Sequence, residues 1–116
     1  AMVINDFVAA MQAKDHRALA ACFAEECRLV DYCPSQVKRP NAFLYGRNAI
    51  EMFYHNKFMF GGFTMHDPRV VNERTVNFYA DYHGTLIHAL AQIENCTDGT
   101  CDRDGSLIQE LVVRPA

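Results

Sequence analysis

Asp31 is a carboxylate placed where a strand should be apolar. In the stretch CRLVDYCP, residues 27–34, Leu29 and Val30 read as the middle of a strand and the aspartate follows at once. Two outcomes are open for such a group. It can bond nearby backbone amides and end the strand before Pro34. Alternatively it faces an apolar pocket, where loss of hydration raises its pKa and lets it take a proton from an activated carbon and return it. His66 and His88 lie on later strand-like segments, and an imidazole titrating near neutrality serves as acid and base in one cycle. Cys96 and Cys101 flank TDGT, but one C-x4-C pair falls short of the four ligands of a structural zinc site. There is no glycine-rich phosphate loop, Ser-His-Asp pattern or dinucleotide fingerprint. The expectation is a site without cofactor or metal.

The elements that must position these groups follow from periodicity. Ile4, Phe7, Val8 and Met11 fall at helical spacing in VINDFVAAMQAKD. Asp15 can cap a second short helix, HRALAACFAEE, on which Leu19, Cys22 and Phe23 share a face. A strand is expected over 28–33, with Leu29 and Asp31 on one face and Val30 and Tyr32 on the other. Cys27 and Cys33 share the face of Asp31, as small buried thiols. PSQVKRPNAFLYG reads as a loop, and a third helix runs from 47 to 60 with Ile50, Phe53, Tyr54, Lys57 and Phe58 along one side.

The remainder is strand-like: 65–72, with Pro68 near its start, then 75–83, 85–95 and 107–114. Val76, Phe78, Ala80 and Tyr82 alternate in one of these strands. In the next, Leu86 and Leu90 oppose Ile87, Ala89, Ala91 and Ile93. CTDGTCDRDG, with two Asp-Gly signals, is the turn between the last two. His83 beside Gly84 belongs to a turn, and His16 and His55 to solvated helix faces. Helices followed by an antiparallel meander make an α+β chain. Apolar residues on both strand faces call for helices on one side and a second subunit on the other.

The chain has 116 residues, half of them hydrophobic, with eight Phe and five Tyr. That suits a single domain, here 2–116. Ala1 before Met2 reads as an expression scar and is left out of the fold reading. A formal net charge of -3 and the lack of a basic stripe argue against a nucleic-acid partner. No apolar run is long enough to span a bilayer, so no membrane partner is expected either. Without the basic and apolar regions of a signal peptide, the five cysteines are expected to be reduced thiols in the cytoplasm.

This order of elements resembles the nuclear-transport-factor-2-like superfamily, which includes ketosteroid isomerases, scytalone dehydratase and SnoaL-like cyclases. The resemblance runs through FVAAMQAKDHRALAACFAEECRLVDY, residues 7–32, and YGRNAIEMFYHN, residues 45–56. It implies a cone: a strongly curved, mostly antiparallel sheet wrapped around a long N-terminal helix, enclosing an apolar pocket for a small hydrophobic molecule. The apolar residues on both strand faces then place the second subunit of a homodimer on the convex sheet face. Asp31 then falls where ketosteroid isomerases keep their catalytic base.

The same resemblance puts Phe7 where those enzymes use a tyrosine to donate to the developing oxyanion, a donor whose loss costs ~2.7–4 kcal/mol. Tyr54 matches a tyrosine of the pocket network. His66 or His88 with Asp31 would form the acid–base pair of a dehydratase, and Gln92 offers a hydrogen-bond donor on a later strand. The expected site is therefore Asp31 and His66 as catalytic groups, with Phe7, Met11, Tyr54, Phe58, His88 and Gln92 around the ligand. The reaction would be a cofactor-free isomerisation, dehydration or cyclisation. The alternative is a non-catalytic ligand-binding or association module of the same fold.

Overall fold

Helix α1 (Val3–Ala13) buries one stripe, Val3, Ile4, Phe7, Ala10 and Met11, as its helical spacing requires. It stops at Lys14, which takes the left-handed conformation (φ 54°) and returns its N–H to the carbonyls of Ala10 and Met11. Asp15 then caps α2 (His16–Ala21), accepting from the Ala18 N–H at 3.0 Å. The structure is a computed structural model that describes residues 2–96 and 107–116.

Strand β1 (Phe23–Asp31) begins well before the expected position, and α2 is correspondingly short. The helix-forming residues of ACFAEE are overruled by long-range pairing. Phe23 lies opposite Ile108, whose N–H donates to the Cys22 carbonyl at 2.8 Å. The strand ends at Asp31, and Cys33 instead leads into a 3-10 turn (Pro34–Val37). Within the stretch expected as loop, β2 (Ala42–Tyr45) pairs with residues 28–31 as a short edge strand. Gly46 (φ 94°) makes the turn into α3 (Arg47–Met59), and its N–H donates to the Cys27 carbonyl at 2.8 Å.

Strands β3 (Thr64–Asn72), β4 (Thr75–Tyr82), β5 (Thr85–Asn95) and β6 (Ile108–Pro115) complete a six-stranded sheet in the order β2-β1-β6-β5-β4-β3. Only β1 and β6 run parallel. The expected alternation holds in β4 and β5: Val76, Phe78, Ala80 and Tyr82 point inward with Ile87, Ala89, Ala91 and Ile93. These residues and the α1 stripe form one core. The result is the α+β cone that the element order implies, a curved sheet wrapped around the N-terminal helix.

His83 and Gly84, both at positive φ, make the β4–β5 turn. The outer sheet face carries Tyr79, Leu86 and His88, all exposed. His16 and His55 stack on each other with ring centroids 4.1 Å apart, rather than lying separately in solvent.

Cys22, Cys27 and Cys33 are free and buried, whereas Cys96 is disulfide-bonded, so the expectation of five reduced thiols is corrected at Cys96. Cys101 and the expected turn over 97–106 lie outside the described residues. Among the described residues no helix is long and apolar enough to cross a membrane.

Candidate functional site around Asp31

Asp31 is the buried charged residue among those described, 5 % exposed at the inner end of β1. Its face follows from strand alternation: Leu29 and Asp31 are buried, while Val30 is half-buried and Tyr32 exposed. The first outcome weighed for this carboxylate, a bond to a nearby backbone amide, is made, and the group also lies buried on the core face. Its Oδ1 accepts the Cys33 N–H at 2.9 Å, the local turn bond expected of an aspartate after a strand. Its Oδ2 accepts the Tyr82 hydroxyl at 2.8 Å, across 51 residues of sequence.

That second bond requires the sheet to curl. β1 and β4 are separated by β6 and β5, so in a flat sheet they would stand about 14 Å apart. A tyrosine cannot close that gap unless the sheet wraps round on itself. The hydroxyl also solves a local problem, since a tyrosine on a core face needs a partner for its polar tip.

Helix α3 closes the site. Tyr54 is buried and packs on Phe58 and Phe63, and Phe63 packs edge-on to Tyr82. Lys57, in the last turn, places its Nζ 5.1 Å from the Phe53 ring centre and 5.2 Å from the Tyr82 ring centre. Both distances are within cation–π range.

The electrostatics follow from burial. Desolvation pushes the Asp31 carboxyl above its ordinary value, opposed by the Cys33 N–H, the Tyr82 hydroxyl and the Lys57 charge. Desolvation lowers Lys57, and the Asp31 charge works against that. Burial first, and the Asp31 charge second, raise Tyr54 and Tyr82 and push the Cys33 thiol up to about 12. Cys33 is thus a thiol and no nucleophile. The arrangement holds one proton-accepting group in a low-dielectric shell and keeps every nearby hydroxyl protonated.

The expected site residues divide cleanly by place. Asp31 and Tyr54 come together, and Phe58 packs against Tyr54. Phe7 and Met11 are fully buried in the core. His66, His88 and Gln92 lie on the outer face instead. His66 pairs with Asp81 at 3.6 Å, His88 stacks on Tyr79, and Gln92 is exposed. The acid–base pairing of Asp31 with His66 or His88 is therefore not made. Strand period explains it: Met65 faces the core, so His66 cannot, and Ala89 and Ala91 do the same to His88 and Gln92.

Tyr82 and Lys57 are the partners that sequence reasoning did not place at the site. Their signals were a tyrosine on a core-facing alternation and a lysine on the packed side of α3. Surface clefts of about 570, 500, 500 and 580 Å³ are lined by residues other than Asp31, Tyr54 and Tyr82. At the Asp31 site the neighbouring groups are the Tyr54, Phe63 and Tyr82 rings and the Lys57 ammonium.

The curl that brings Tyr82 to Asp31, with α1 inside it, decides the comparison. The chain has the nuclear-transport-factor-2-like fold. No family model matches its sequence, and no curated protein matches it either. Solved structures do. A nuclear-transport-factor-2-like protein of unknown function from Cytophaga hutchinsonii is 12 % identical with a TM-score of 0.66, over 98 % of this chain and 87 % of that one. A ketosteroid isomerase-like fold from Catenulispora acidiphila, in complex with trimethylamine, is 14 % identical with a TM-score of 0.63, over 98 % and 85 %. A chain of the yeast deubiquitinase Ubp3 and Bre5 cofactor complex is 14 % identical with a TM-score of 0.62, over 97 % and 90 %. At these identities the nuclear-transport-factor-2-like fold is shared, and the chemistry has to be argued from the site.

Proposed function

We propose that the protein binds a small, mainly hydrophobic molecule against Asp31, and that Asp31 acts as general base in a cofactor-free isomerase, dehydratase or cyclase reaction. The observation that carries this is the buried carboxylate itself, raised in pKa by desolvation and held by Tyr82 beneath the aromatic face of α3. A carboxylate in that state accepts a proton from a carbon next to a carbonyl and returns it to a neighbouring position. The trimethylamine-bound structure of the same fold supports a small-ligand site. Tyr82 supplies a hydroxyl at the site, although Phe7 cannot.

The test is a thermal-shift screen against steroids, polyketides and aromatic acids, followed by turnover of any hit by wild type and Asp31→Asn. Loss of turnover by at least about a hundredfold is expected for a general base. Unchanged turnover would remove Asp31 from the chemistry.

A non-catalytic role is the second reading, and two observations favour it. Phe7 has no donor to offer an oxyanion, and both Asp31 oxygens already accept a hydrogen bond. The likeness to a chain of a deubiquitinase–cofactor complex is consistent with an association module. We further propose a homodimer through the outer sheet face, where Tyr79 and Leu86 are exposed.

A further inference from the structure

We propose that the ligand taken at Asp31 carries an organic ammonium group, and that the Lys57 side chain is the internal occupant it displaces. The inference rests on the small-molecule reading above and narrows it to a chemical class.

The site already holds a cation. The Lys57 ammonium stands between two aromatic rings, about equally far from Phe53 and Tyr82. The Tyr82 ring that it faces is anchored through its hydroxyl to Asp31. Aromatic ring faces near a carboxylate are the ingredients by which proteins recognise ammonium ligands. Here the ligand is tethered to the last turn of α3.

Charge balance selects what can replace it. Asp31 is buried, and the Lys57 charge is one of the groups favouring its ionised form. A neutral ligand that pushed Lys57 out would remove the charge that, with the Cys33 and Tyr82 hydrogen bonds, favours the ionised carboxylate. An ammonium ligand replaces one cation by another and leaves the rings and Asp31 as they were. The lysine has a way out, because it is only half-buried and its stem is flexible. A tethered occupant competes at high effective concentration, so the free ligand binds wild type weakly in proportion to how seldom the cage is open.

The test compares choline with its uncharged carbon isostere, 3,3-dimethylbutan-1-ol, by NMR titration of wild type, Lys57→Met and Lys57→Met with Asp31→Asn. Methionine keeps the apolar stem and removes the competitor. If the cage is closed nine-tenths of the time, Lys57→Met should bind choline about tenfold more tightly than wild type. It should prefer choline to the isostere, and the preference should disappear when Asp31 is also replaced. Wild type supplies a readout that does not depend on any variant folding. The Lys57 methylene signals, shifted by the flanking rings, should move toward their solvent positions as choline is added.

No gain in Lys57→Met, equal binding of the isostere, or unmoved Lys57 signals would each overturn the ammonium site. Those failures are distinct from failure of the general-base reading. Equal binding of the isostere leaves a ligand pocket in place. An Asp31-dependent turnover of a neutral hit would uphold the base while refuting the cation.

Discussion

Asp31 is chemically interesting because its two hydrogen bonds do not fully repay its burial. Desolvation is the largest influence on it and raises its pKa above the ordinary 3.8. The sign of the consequence is fixed by linkage. A group whose folded pKa lies above its unfolded value favours the folded state fully at pH below the unfolded value. That contribution is lost as pH rises through the folded pKa. At neutral pH the ionised Asp31 therefore costs stability relative to a neutral isostere. Asp31→Asn should be more stable than wild type in urea unfolding at neutral pH. The advantage should shrink as pH falls through the folded pKa and be absent below the unfolded value. A wild type more stable than Asp31→Asn at neutral pH would mean that Tyr82, Cys33 and Lys57 more than offset desolvation. Strand alternation put Asp31 on the face of Leu29, which is buried. It could not foretell Tyr82, whose partner lies 51 residues away.

At the scale of elements, the site depends on where β1 stops and where α3 starts. Gly46 sets the second of these. It adopts φ 94°, closed to most side chains, while its N–H is fixed to the Cys27 carbonyl of β1. An added Cβ would meet nothing nearer than 3.9 Å, so crowding is not the obstacle and backbone strain is. Gly46→Ala should cost about 1–3 kcal/mol, read from chemical denaturation. Because α3 carries both Tyr54 and Lys57, the same variant should disturb the ring-shifted signals of the site. A fully neutral substitution would show that α3 can start without the left-handed turn.

The elements were legible in unequal degree. α1, α3, β4 and β5 were clear from the periods of Ile4, Phe7 and Met11 and of Val76, Phe78 and Ala80. The α2–β1 boundary was not, because ACFAEE has helix-forming residues and becomes strand only by pairing with Ile108. β2 was hidden for a related reason: four edge residues after a proline-rich loop carry too little pattern to see.

For the whole molecule, the sheet has two faces with different fates. The inner face packs on the helices, and the outer face leaves Tyr79 41 % and Leu86 59 % exposed. If a second copy covers this face, light scattering at micromolar concentration should give twice the 13.2 kDa of one chain. Leu86→Glu combined with Tyr79→Glu should then give a monomer with unchanged far-ultraviolet circular dichroism. A wild-type monomer would leave the outer face to some other partner or to solvent.

The sequence by itself determined the α+β class, from the order of its elements, and the shared face of Leu29 and Asp31 and the core stripe of α1, because these two follow from a period of 2 or 3.6 within a dozen residues. The tertiary structure alone decided what stands beside Asp31. Sheet order and curl bring β4 to β1 and so choose Tyr82, while pleat phase turns His66, His88 and Gln92 outward. The docking of α3 puts a lysine ammonium over the Phe53 and Tyr82 rings. Such contacts join residues far apart along the chain, and no local pattern encodes the distance at which a curved sheet closes.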